Sequence, residues 1–84
     1  MKKINNTPQN TQEWYRRGYH LMMEERYSES IAAYTMAIEH NVKCAEAHFG
    51  RGACHYKLGH YRQAEDDIKA AALLGCEDAF FWTN

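Results

Sequence analysis

The chain has 84 residues, 45% hydrophobic and 25% charged, with a single Pro and five Gly. That is ordinary globular composition at a length below the usual domain size of roughly 100–150 residues, which leaves room for one small folded unit and excludes a second domain. Ten Lys and Arg stand against eleven Asp and Glu, a formal charge of −1. There is no net cationic field to draw phosphate backbones or anionic lipid, so nucleic-acid and membrane partners are not expected.

Lys2 and Lys3 are followed by the polar stretch Ile4-Asn5-Asn6-Thr7-Pro8, with no apolar core of a signal peptide behind the charges. No segment approaches the ~20 apolar residues of a membrane span. Three cysteines, Cys44, Cys54 and Cys76, cannot all pair within one chain, and an odd count suits a reducing compartment. The expectation is a soluble cytoplasmic protein without disulfides.

In chain order, Thr7-Pro8 reads as a helix start, Thr supplying the cap oxygen and Pro the first helical position, with Thr11 a second candidate cap. The first helix then runs to about Glu24. Glu24-Glu25-Arg26 forms a polar connector, Ser28 can cap a second helix reaching about His40, and Asn41-Val42-Lys43 is a loop. Later, Gly59 after Leu58 and Gly75 after Leu74 read as left-handed helix stops. Glu77 onward restarts a helix. Trp14, Gly18 and Leu21 are spaced i, i+4, i+7, and Ile31, Tyr34 and Ile38 i, i+3, i+7, both helical patterns, whereas no segment alternates like a strand.

Sliding the chain against itself by 34 residues superposes Arg17 on Arg51, Gly18 on Gly52, Tyr27 on Tyr61 and Ala37 on Ala71. The same offset pairs Tyr15 with Phe49, Gln12 with Glu46, Tyr34 with Ile68 and Ser30 with Ala64, and twice the offset places Trp82 on Trp14. Such a period is the mark of a repeat whose unit buries its apolar stripe only against a neighbour. Glycine inside a helix costs about 1 kcal/mol relative to Ala, so Gly18 and Gly52 signal helices approaching too closely for a Cβ. Tyr27 and Tyr61 are expected to wedge between neighbouring hairpins.

With this period, Trp14-x2-Arg17-Gly18-x2-Leu21 followed by Tyr27, Ser30-x3-Tyr34 and Ala37, and in the second copy Tyr61, Ala64-x3-Ile68 and Ala71, resembles the tetratricopeptide repeat. The resemblance implies an all-α fold, an α-α superhelix in the form of a right-handed solenoid. Two helical hairpins would form repeat one at 11–44 and repeat two at 45–78, with a truncated capping helix at 79–84. Departures are Arg17 and Arg51 where the family prefers Leu, His48 for Trp, His55 for Tyr, and Val42 and Cys76 for Pro. The stretch from Lys69 to Ala79 also resembles the related Sel1-like repeat.

In that family the first helices of successive hairpins line a concave groove. The resemblance places Gln12, Tyr15, Tyr19, Met22 and Met23 there, then Glu46, Phe49, Ala53, Tyr56 and Lys57, then Phe80. Tyr15, Tyr19 and Met22 form an i, i+4, i+7 stripe beside the Trp14/Gly18/Leu21 stripe, so the first helix has two apolar faces. Aromatic and Met side chains suit peptide contact, although such a stripe also serves as ordinary core. The family's carboxylate clamp, built from Lys, Asn and Arg, is not matched, because Tyr15, Tyr19, Phe49 and Ala53 stand in its places. The expected function is therefore a non-catalytic protein interaction module holding an apolar helix or extended peptide. The alternative is a self-associating homo-oligomer that uses the groove and the aromatic stub Phe80-Phe81-Trp82, which either caps the second hairpin or continues into another chain or a further repeat downstream.

The remaining chemistry gives no catalytic motif, metal or cofactor. Cys44 and His48 share an i, i+4 spacing, but no paired ligands complete a zinc set. Cys54 and His55 point about 100° apart as helix neighbours, unlike a thiolate and its base. Glu65-Asp66-Asp67 reads as a solvated helix face with i, i+4 pairs Glu65/Lys69 and Arg62/Asp66. Arg17 and Arg51 can pack their stems while reaching the groove rim, an acidic neighbour such as Glu13 or Glu46, or a ligand carboxylate. Helical-repeat RNA reading would need basic surface, which the charge balance lacks.

Overall fold

The computed structural model describes residues 8–82, with side chains as far as Ala79. Five helices follow one another: α1 (Thr11–Met23), α2 (Tyr27–His40), α3 (Ala45–Lys57), α4 (Tyr61–Leu73) and α5 (Glu77–Trp82). No strand occurs among the described residues. Helices α1 and α2 form one antiparallel hairpin, α3 and α4 a second, α2 packs on α3, and α5 docks on α4. The arrangement is the stacked-hairpin, all-α solenoid that the 34-residue period implies.

The first helix is capped differently from expectation. Thr7 lies outside the described residues, and Thr11 is the first helical residue instead of the cap. Asn10 takes that role: its side-chain oxygen accepts from the Glu13 amide at 2.9 Å, while the Glu13 carboxylate accepts from the Gln9 amide at 2.7 Å. Two orphan amides are thereby satisfied reciprocally. The Thr11 hydroxyl donates to the Ala37 carbonyl at 3.2 Å, tying α1 to the end of α2. Ser28 does not cap α2; it sits inside the helix, whose cap position is Arg26 and carries no side-chain cap bond.

Three helix ends share one device. The Arg26, His60 and Cys76 amides reach back to the carbonyls of Leu21, His55 and Ala71 at 2.9, 2.8 and 3.0 Å, the six-to-one bond that closes a helix through a left-handed residue. That residue is Gly59 (φ 83°), Gly75 (φ 100°) and, in the first hairpin, Glu25 (φ 62°). Glu25 and Gly59 lie 34 positions apart, so the backbone repeats where the residue type does not.

The core is organised around Tyr34, which is fully buried. A Cβ on Gly18 would come within 2.8 Å of its ring, and one on Gly50 closer still, so this ring lies in a slot cut by glycines from α1 on one side and α3 on the other. In the second hairpin Gly52 faces Ile68 in the same way, at 2.9 Å. Close approach thus recurs at the 34-residue offset. The Ser30 hydroxyl donates to the Gly18 carbonyl at 2.6 Å and the Cys54 thiol donates to Ser30 Oγ at 3.3 Å, a short polar chain through α1, α2 and α3.

Several packing expectations need correction. Arg51 reaches neither the groove rim nor Glu46. Its guanidinium forks onto Asp67 with two 2.8 Å bonds, and a third, of 3.1 Å, goes to the Thr35 hydroxyl of α2. Asp67 is therefore buried at 6% exposure, and the 65–67 run is not a uniformly solvated face, although Glu65 and Lys69 do pair at 3.5 Å. Arg17, at the equivalent position, is exposed and lies over the Trp14 ring at 5.9 Å. The residue that would answer Asp67 in the first hairpin is Ala33. Tyr27 packs partly buried against the first core cluster, whereas Tyr61 is 63% exposed and meets the Tyr56 ring edge-on at 5.3 Å instead of wedging between hairpins.

Candidate functional site

Helices α1 and α3 place a row of aromatic and apolar side chains along one side of the stack. A cavity of about 220 Å³ opens there, lined by Tyr15, Tyr19 and Met22 of α1, by Phe49, Gly50 and Ala53 of α3, and by Tyr34 of α2. Glu46, at the start of α3, and Cys76 and Asp78, at the start of α5, also line it. Tyr15 leans on Tyr34 at 5.6 Å and stacks on Tyr19 at 6.5 Å, so the rings form a graded series from fully buried Tyr34 through half-buried Tyr15 to Tyr19, which is 44% exposed. A second, larger depression of about 480 Å³ adjoins it, lined by Thr11, Gln12, Tyr15, Cys44 and Glu46. Tyr15 and Glu46 belong to both, which makes one elongated track.

Six of the expected groove residues, Tyr15, Tyr19, Met22, Glu46, Phe49 and Ala53, meet in the smaller cavity, and Gln12 joins at the larger. Met23 and Lys57 are exposed at the ends of α1 and α3 and line neither, while Tyr56, half exposed, turns to Tyr61. The Phe80 side chain and those of Phe81 and Trp82 lie outside the described residues. Tyr34, Gly50, Cys76 and Asp78 were not anticipated. Gly50 carried a signal, being the second glycine within three residues of one helix, a spacing that presents two separate surfaces to two neighbours.

Electrostatics separates this wall from the interior. Burial, helped by the Glu46 carboxylate, pushes the Tyr15 phenol above its usual value, and burial pushes Tyr34 much further, so both hydroxyls stay protonated at neutral pH. Burial also raises the Cys54 thiol, with the Ser30 hydrogen bond acting the other way, which leaves a neutral, unreactive sulfur. His55 is held below its ordinary value, chiefly by burial, and its Nδ1 meets His60 Nδ1 at 3.1 Å. His48 donates from Nε2 to the Val42 carbonyl at 2.9 Å, while its buried Nδ1 has no hydrogen-bond partner among the described residues and stands 3.9 Å from Asp67. Among the described residues no three His, Cys, Asp or Glu side chains gather where they could hold a metal ion. No described helix is long and apolar enough to cross a membrane.

Residues 45–77 match the family profile of the tetratricopeptide repeat. The chain is also 41% identical over 64 residues to dynein axonemal assembly factor 4 of Pongo pygmaeus, a match covering 74% of this chain and 15% of that protein. Its counterparts in Rattus norvegicus and Mus musculus are 41% and 39% identical over 59 residues, 69% of this chain and 14% of theirs. The chain thus spans about one seventh of the length of these relatives. The profile covers α3, α4 and the turn into α5, and the first hairpin shows the same close approach of a helix glycine to a large side chain 34 residues earlier, Gly18 on Tyr34 against Gly52 on Ile68. The chain is a tetratricopeptide-repeat protein, built on a non-catalytic fold for protein–protein interaction.

Proposed function

We propose that this chain holds an apolar helix or extended segment of another protein in the track between α1 and α3. The observation that carries the reading is the row Tyr15, Tyr19, Met22, Phe49 and Ala53, which lines one open cavity, with Tyr15 and Met22 also resting on the core and Tyr19 standing clear of it. Large rings and an adaptable Met give contact area at little rotamer cost, and a helix docks in such a groove through residues spaced i, i+3 and i+4. A cavity of 220 Å³ is smaller than the roughly 300–1,000 Å³ of sites that enclose a small ligand, and it suits anchor side chains of a longer segment. The repeat boundaries 11–44 and 45–78 belong to the same reading, and three free cysteines suit a place in the reducing cytoplasm. The relatives' name, an assembly factor, fits a chain that grips a protein partner.

The test is calorimetric titration of the full chain with an amphipathic helical peptide and with an acidic C-terminal peptide. The helix is expected to bind and the acidic tail not to. Tyr19→Ala combined with Phe49→Ala should weaken the helix at least about thirtyfold, the loss of one interface hot spot, with helicity by circular dichroism unchanged. Undiminished affinity in a folded double variant contradicts the reading. Self-association is the rival, favoured by exposed apolar side chains such as Leu73 at 89% and Met23 at 64%. A sedimentation coefficient independent of concentration removes it.

A further inference from the structure

The smaller cavity has a charge pattern that narrows its occupant. Ten described residues line it, two of them the carboxylates Glu46 and Asp78, and none of the ten is Lys, Arg or His. Elsewhere in the described residues some acids are neutralised, Glu24 and Glu29 by Arg26, Glu65 by Lys69 and Asp67 by Arg51, while others such as Glu13 and Glu39 stand away from the cavity. Among the described residues neither groove carboxylate has such a partner; Glu46 meets the Cys44 thiol at 3.9 Å and acts on the Tyr15 phenol. Two like charges beside low-dielectric aromatic walls focus a negative potential into the opening. The rings add to it, since Tyr faces carry negative charge and attract a cation within about 6 Å of their centres.

Resting on the groove reading above, we propose that the bound segment is basic: it presents a Lys or Arg next to its apolar anchor, and that cation sits among Glu46, Asp78 and the tyrosine faces. An apolar segment flanked by acids meets like charge from Glu46 and Asp78 and is rejected, which reverses the sign of selection of a carboxylate clamp. The track fits this occupant. Glu46 stands where the two depressions join, so a cation there lies midway along a segment whose apolar residues reach Tyr19 and Phe49 on one side and Gln12 on the other.

The experiment uses three helical peptides of identical length and apolar face whose flanking positions are all Lys, all Gln or all Glu, titrated calorimetrically into the full chain. The Lys peptide should bind about tenfold tighter than the Gln peptide and the Glu peptide weaker than either. The ranking should flatten at about 1 M salt, where the screening length falls to about 3 Å. Glu46→Gln with Asp78→Asn should remove the preference, and Glu65→Gln, on an exposed acid outside the groove, should keep it. Because Glu46 and Asp78 are exposed and pair with no cation, the double variant should melt as the parent does; Glu46→Gln alone, expected to halve the logarithm of the preference, provides a second reading. Equal binding of all three peptides, or a Lys preference that survives the double variant, overturns the inference. If all three bind equally and Tyr19→Ala/Phe49→Ala abolishes binding, only the charge assignment fails; if none binds, the groove reading fails with it.

Discussion

The two hairpins share a backbone and differ in what fills the seam. In the first, a whole tyrosine ring lies in the Gly18 slot and the Ser30 hydroxyl bonds the Gly18 carbonyl. In the second, the smaller Ile68 and Ala64 occupy those places, and the forked Arg51–Asp67 pair with its third bond to Thr35 adds a polar tie to α2. The repeat fixes helix separation through a glycine opposite a large side chain and leaves the polarity of the seam free. Arg17 and Arg51 show how far that freedom goes. One is exposed because residue 33 is Ala, and the other is anchored because residue 67 is Asp and Thr35 lies across from it.

Replacing the seam residues should break this contrast most strongly. Tyr34→Ala removes the ring that both Gly18 and Gly50 accommodate, an expected loss of about 3–5 kcal/mol, comparable to all the net stability of so small a fold. Ile68→Ala, which opens one slot instead of two, should cost about 2–4 kcal/mol; urea unfolding followed by circular dichroism measures both. Next in size, Asp67→Ala leaves a mostly buried guanidinium unpaired and should cost about 2–3 kcal/mol, whereas Arg17→Ala should stay within about 0.5 kcal/mol.

Alkaline pH sharpens the first seam in particular. Burial favours the neutral forms of Tyr34, Tyr15 and Cys54, so the folded chain keeps protons that the unfolded chain releases. That stability is whole below the ordinary values of 9.0 for the thiol and 10.0 for the phenols, and drains as pH rises through the raised ones. The urea midpoint should therefore fall progressively above about pH 9, and less so in Tyr34→Phe. Smallest of the set, Ser30→Ala converts the first seam to the chemistry of Ala64 and should cost about 1 kcal/mol in the same unfolding experiment.

Helix order, the Gly59 and Gly75 stops and the hairpin period were legible because each rests on a local rule: left-handed backbone favours glycine, and mid-helix glycine implies close approach. Glu25 escaped because its left-handed conformation is imposed by the turn's hydrogen bonds and not by residue type. Asp67 was misread as solvated since two acidic neighbours masked its register: it lies three residues after Ala64 and four before Ala71, on the buried stripe. Its partner Arg51 is sixteen residues away, beyond any local spacing rule. In the groove, Tyr15, Tyr19, Met22, Phe49 and Ala53 followed from helical periodicity and family resemblance, while Cys76 and Asp78 come from the next turn, whose approach only the three-dimensional stack determines.

The central claim is that the α1/α3 track receives a partner, and not the separate opening of about 290 Å³ between α1 and α2 that Trp14, Arg17 and Met36 line. Amide chemical-shift mapping of the isotopically labelled full chain, titrated with the Lys-flanked helical peptide, tests it directly. The account expects the largest shifts at Tyr19, Glu46, Phe49 and Ala53, with Trp14, Arg17 and Met36 unmoved; shifts concentrated at the latter three, with the track silent, would contradict it.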